Sequence, residues 1–143
     1  RVNTRDMLLR RHFNTGEDHS CLMCNLGQLG TNNHLFYECQ FSTRCWETIG
    51  IQWGTDNDIQ LMFDTSHTSW HKPAFKEITI LTAWNIWKQR NKVLFDGEVA
   101  SHLDWLRMFK KDLEILTFRT KGDSNIFIHT LIQGLALHQN PSV

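Results

Sequence analysis

The 143 residues are enough for one ordinary domain, or one domain with a helical extension, with a real hydrophobic core. With 41% apolar residues, six Trp and nine Phe, the composition argues against intrinsic disorder. Fifteen basic and fifteen acidic residues cancel, so the chain lacks the basic excess of a dedicated nucleic-acid binder.

The charge is unevenly spread. Residues 1–70 hold five Lys/Arg against eight Asp/Glu, and residues 71–143 hold ten against seven, so a phosphate-facing surface is expected in the second half or along Arg5, Arg10 and Arg11. Apolar runs are far shorter than the roughly 20 residues of a membrane span, and no signal peptide is visible, which predicts an intracellular protein, nuclear or cytoplasmic. Arg1 in place of Met predicts a piece of something longer.

Asn3 or Thr4 can cap a first helix at about residues 4–13, with Asp6 in its first turn and Met7, Leu8 and Phe13 on its apolar face. Residues 14–33 lack periodicity and read as a loop that needs an anchor. Leu35, Phe36, Phe41, Cys45, Trp46 and Ile49 follow at three- and four-residue steps, as on a helix broken once near Cys39 and ended by Gly50. In residues 51–72, Ile59, Leu61, Met62 and Phe63 fit a short helix, followed by a polar connection from Thr65 to Lys72.

Pro73 suits the first turn of the longest helix, whose face is read as Phe75, Ile78, Leu81, Trp84, Trp87, Asn91 and Leu94, with Gly97 as its stop. On that reading Trp84 and Trp87 both face the interior, against Leu106, Phe109, Leu113, Leu131 and Leu135, while Lys88 and Lys92 share a more exposed face. Ser101 and Asp104 form a capping pair for a helix at about 101–119. Lys121, Gly122 and Asp123 read as a turn, and Ser124 as the cap of a last helix carrying Ile128, Leu131, Ile132 and Leu135. The expected fold is mostly α: a zinc-binding module over residues 1–53, a connection over 54–72 and a helical bundle region over 73–143.

Cys21 and Cys24 sit across a tight turn, and His34 and Cys39 follow after nine and four intervening residues. Three thiols and an imidazole suit tetrahedral zinc, and four protein ligands close the shell, so one structural Zn2+ contributing folding energy is expected. The competing readings are ordinary buried cysteines or a disulfide framework; His-x4-Cys at close range weighs against both. Cys45, beside Trp46, reads as a buried core thiol. His67 and His71 are four apart but lack partners to complete a shell, and read as part of a solvated loop.

Three blocks carry a family resemblance. Asn3-Thr4-Arg5-Asp6 with Leu8, Arg10 and Arg11, then Cys21-Leu22-Met23-Cys24, then His34-Leu35-Phe36 with Cys39, Phe41 and Trp46, together resemble the reverse-transcriptase zinc-binding domain of plant LINE-type non-LTR retrotransposons and their domesticated relatives. Trp84-Asn85-Ile86-Trp87-Lys88 with Arg90-Asn91 and Phe95-Asp96-Gly97 resembles the helix that commonly follows it. Gly30 stands where that family often has Glu, a departure that removes a carboxylate near the metal.

The resemblance implies a non-catalytic accessory module contacting RNA or DNA. Phosphate contacts then fall to Arg5, Arg10, Arg11, Lys88, Arg90, Lys92, Lys110 and Lys111. The alternative is a domesticated protein-interaction module, pairing with another protein or with itself, with Trp53, Trp70 and Trp105 as anchor candidates. No small-molecule substrate or membrane partner is expected. Catalysis is argued against: Asp56, Asp58 and Asp64 form no supported two-metal motif, and no nucleophile or phosphate-loop signature occurs.

Overall fold

A computed structural model describes Met23, residues 34–53 and residues 59–139. The first helix expected at 4–13 and the loop at 14–33, apart from Met23, lie outside these residues. Among the described residues the chain is helical, without a strand: a π-helical turn His34–Glu38, then α1 (Gln40–Thr48), α2 (Ile59–Trp70), α3 (Phe75–Asp96), α4 (His102–Leu116) with a 3-10 turn Thr117–Arg119, and α5 (Gly122–Gln139). No described helix is long and apolar enough to cross a membrane.

Local chemistry sets most boundaries. Gly50 and Gly97, with φ of 81° and 70°, follow α1 and α3 in the left-handed conformation that glycine adopts without Cβ strain. Glu98 N–H reaches back to the Lys92 carbonyl at 3.2 Å, closing the end of α3. Ser101 caps α4 as expected, its hydroxyl accepting from the Asp104 N–H at 3.1 Å.

Three expectations need correction. The stretch read as a polar connection after Phe63 continues as α2 to Trp70, so His67 is helical, stacked 4.8 Å from the Phe75 ring. α3 begins at Phe75 behind Ala74, which adopts φ 64°, and Pro73 lies outside the helix. α5 begins at Gly122, so Gly122 and Asp123, read as part of a turn, and Ser124, read as a cap, already belong to it, and only Lys121 lies outside.

One continuous core runs from Met23, Leu35 and Cys39 through Ile78, Ile86, Trp105 and Phe109 to Ile128 and Leu135. The π-turn packs on α1 and α3, α1 on α3 and α4, and α4 on both α3 and α5. Aromatic contacts extend this core across residues 54–58: Trp53 meets Trp46 at 5.1 Å and Phe63 at 6.3 Å, and Phe63 meets Phe75 at 5.1 Å. Trp70 closes the chain of rings onto Phe127 of α5 at 5.7 Å.

The largest difference is the rotation of α3. Its buried face carries Phe75, Ile78, Thr79, Thr82, Asn85, Ile86, Gln89 and Arg90; of the expected stripe, Leu81 and Trp87 are partly buried against the core while Trp84 is turned out. Trp84 is 48% exposed, whereas Trp105 is fully buried with its indole N–H donating to the Thr82 carbonyl. Trp105→Ala should therefore cost about 3–5 kcal/mol through an unfilled cavity. Trp84→Ala should cost about 1 kcal/mol or less. Chemical denaturation of the two variants checks the contrast.

Candidate functional site

The inward rotation of α3 is explained by a polar seam against α4. Thr82, Asn85 and Gln89 are buried, and the side-chain donor of each finds an acceptor, while Asn85 Oδ1 is left without a partner. The Asn85 amide donates to Asp112 at 2.9 Å and to the Leu81 carbonyl at 2.8 Å. The Gln89 amide donates to Asp104, and its carbonyl oxygen accepts from the Ser101 N–H. Lys92 pairs with Asp104 at 2.6 Å, and Lys88 with Asp112 at 3.6 Å. As residue numbers rise along α3 they fall along α4, so the two helices run antiparallel.

The hydrogen bond from Lys92, with further help from Gln89 and from the positive charges of Lys92 and Arg107, holds the Asp104 carboxyl below its ordinary range against the opposing effect of burial. Asp104 also stands in the first turn of α4, where the helix dipole favours a negative charge.

With the polar edge turned inward, part of the apolar stripe of α3 is left outside. Ile80 and Trp84 of α3 and Ile115 of α4 are 65%, 48% and 53% exposed. With Leu81 and Leu116 they line a groove of about 320 Å³ between the helices, bounded by Glu77, Asp112 and Arg119. The Lys88 ammonium lies 5.6 Å over the Trp84 ring at its edge. Ordinary patterning missed this groove because it assigned Trp84 to the core. The signal was present in the Thr, Asn, Gln and Arg residues interleaved at helical spacing on α3, which demand partners when buried.

The residues read as phosphate contacts are dispersed. Lys88 and Lys92 share the α4-facing edge of α3, each against a carboxylate, rather than an open face. Arg90 is buried at 3% exposure, with Nη1 donating to the Asn91 side chain at 3.1 Å, while Lys110 is half-buried and Lys111 exposed. Arg5, Arg10 and Arg11 lie outside the described residues. Of the tryptophans read as anchors, Trp70 and Trp105 are buried and Trp53 sits inside the aromatic cluster.

Of the four residues read as metal ligands, Cys21 and Cys24 lie outside the described residues. His34 and Cys39 are buried at the two ends of the π-turn, where the Cys39 N–H donates to the His34 carbonyl at 2.6 Å. The next two carbonyls are also held, Leu35 by the Ser42 hydroxyl and Phe36 by the Trp46 indole N–H. Met23, between Cys21 and Cys24 in the chain, is buried in the same core as Leu35 and Cys39. No group of three or more His, Cys, Asp and Glu fit to hold a metal occurs among the described residues. Cys45 is a fully buried core thiol, as expected, and burial pushes its pKa well above the ordinary thiol range.

No known family, no curated protein and no solved structure matches the chain.

The lowered Asp104 pKa gives a signed pH dependence. A carboxyl titrating lower in the folded state contributes stability above the unfolded value, about 3.9 for Asp, and loses that contribution as pH falls through the folded value. Asp104→Asn should therefore be less stable than the parent at neutral pH, with the gap closing on acidification below about pH 4. Urea unfolding across a pH series measures this.

Proposed function

We propose that this chain is a non-catalytic, zinc-stabilised interaction module whose working surface is the groove between α3 and α4. The observation that carries the reading is the groove itself, where Ile80, Trp84 and Ile115 are left exposed side by side on rigid helices. Concave, mostly apolar surfaces with a few charged residues at the rim suit protein recognition, and an exposed Trp is a favoured anchor.

The alternative, contact with RNA or DNA, draws less support. Binding driven by phosphate needs clustered cations released from other work. Lys88 and Lys92 each face a carboxylate of α4, and Arg90 is buried.

The zinc part of the reading rests on donor chemistry and on the π-turn. Cys21, Cys24, His34 and Cys39 supply the soft thiolate and imidazole donors that zinc prefers. His34 and Cys39 are buried on one turn whose three leading carbonyls are held by hydrogen bonds, so these two donors stand on a rigid base. Bound there, zinc would supply folding energy and tie the residues around Met23 to the core. The resemblance to a retrotransposon zinc-binding domain agrees with this ligand set and with an accessory role.

Two measurements test the proposal. Metal analysis should find about one zinc per chain. Cys39→Ser or chelation should remove it and red-shift the fluorescence of the Trp46–Trp53 cluster, while the α3–α4 hairpin, held by its own seam, retains helical circular dichroism. Absence of zinc from protein purified in zinc-replete medium would overturn the metal assignment. Selection from a library of amphipathic helical peptides should yield binders that Ile115→Glu abolishes and Lys111→Glu spares. Salt-steep binding to single-stranded RNA or duplex DNA, lost in Lys110→Glu/Lys111→Glu and untouched by Ile115→Glu, would instead favour the nucleic-acid reading.

A further inference from the structure

The four charged side chains around the groove alternate in sign from corner to corner. At one end stand Glu77 on α3 and Arg119 just beyond α4; at the other stand Lys88 on α3 and Asp112 on α4. Each helix edge therefore carries one positive and one negative corner, in opposite order along the antiparallel pair.

This pattern has a geometric property that a single-sign rim lacks. Turned face to face about a two-fold axis running along the helices, Glu77 meets the partner's Arg119 and Lys88 meets the partner's Asp112. About a two-fold axis running across the helices, Glu77 meets the partner's Lys88 and Arg119 meets the partner's Asp112. Under either operation every corner meets its opposite, and the exposed Ile80, Trp84 and Ile115 meet their counterparts. A two-fold interface must be complementary to itself, and this surface meets that condition in both charge and apolar character.

Resting on the reading of this groove as an interaction surface, we propose that its occupant is a second copy of this chain. The two hairpins then stack as a four-helix arrangement, with the paired corners setting the rotation and the buried Trp84 and Ile115 supplying the apolar centre. The zero net charge of the four corners agrees with a partner bearing the same set, and disfavours a polyanion.

Sedimentation equilibrium of the full chain tests the proposal. The expected result is a reversible monomer–dimer equilibrium that weakens with added salt. Arg119→Glu should weaken it about tenfold or more, and Ile115→Glu should leave only monomer. Adding Glu77→Arg to Arg119→Glu should restore the dimer if the axis runs along the helices. If the axis runs across them, the same pair of changes should instead weaken the dimer further, since each altered corner then faces a like charge. Charge-swap rescue is unmoved by simple loss of folding, so it keeps the test decisive should Ile115→Glu fold poorly. A chain that stays monomeric at about 1 mM overturns the proposal, as does a dimer that ignores both Arg119→Glu and Ile115→Glu. A monomer that still captures helical peptides in an Ile115-dependent way overturns self-association alone and leaves the interaction reading standing.

Discussion

The structure turns on two carboxylates. Asp104 and Asp112 of α4 receive Gln89 with Lys92, and Asn85 with Lys88, from α3. Because buried amide donors without acceptors are costly, these contacts favour this rotation of α3. Everything else about the hairpin follows from that angle: Ile78 and Ile86 point into the core, Trp105 fits beneath Thr82, and Trp84 is left at the surface. A hydrophobic stripe would ordinarily choose the buried face of a helix. Here polar pairing overrides it, and the displaced apolar residues become a groove.

That override marks where the sequence was legible and where it was not. The helical class, the Gly50 and Gly97 stops, the Ser101 cap and the buried Cys45 followed from local rules, because each depends on neighbours within a few residues. The rotation of α3 did not, because Trp84 continues a convincing stripe with Leu81 and Trp87, which do pack against the core, until the partners of Asn85 and Gln89, 15 to 27 residues away, are known. Helix α2 was hidden for a related reason. Its second half is Asp64-Thr65-Ser66-His67-Thr68-Ser69, poor in helix formers, and it is held in place by Phe63, His67 and Trp70 around Phe75.

The turn that carries His34 and Cys39 illustrates a different economy. Three consecutive carbonyls, of His34, Leu35 and Phe36, accept hydrogen bonds from a backbone amide, a serine hydroxyl and a tryptophan indole N–H, all from Cys39 or α1. Wide π-turns spend helical hydrogen bonding on unusual side-chain placement, and they recur where side chains must converge. The spacing of His34 and Cys39 was legible as a ligand pattern, but the π-geometry was not, since it depends on Ser42 and Trp46 reaching back over the turn.

The hairpin also has a bearing on the order in which the chain folds. Its seam joins residues only 12 to 27 positions apart, while the hydrogen bond tying α1 to α4, Thr48 to His102, spans 54. Loop closure favours the shorter connections. The α3–α4 pair thus forms a local nucleus that can assemble as soon as residue 116 has been synthesised, and onto which the aromatic cluster around Trp53 and Phe75 then condenses. Its amides would be the last to exchange with solvent.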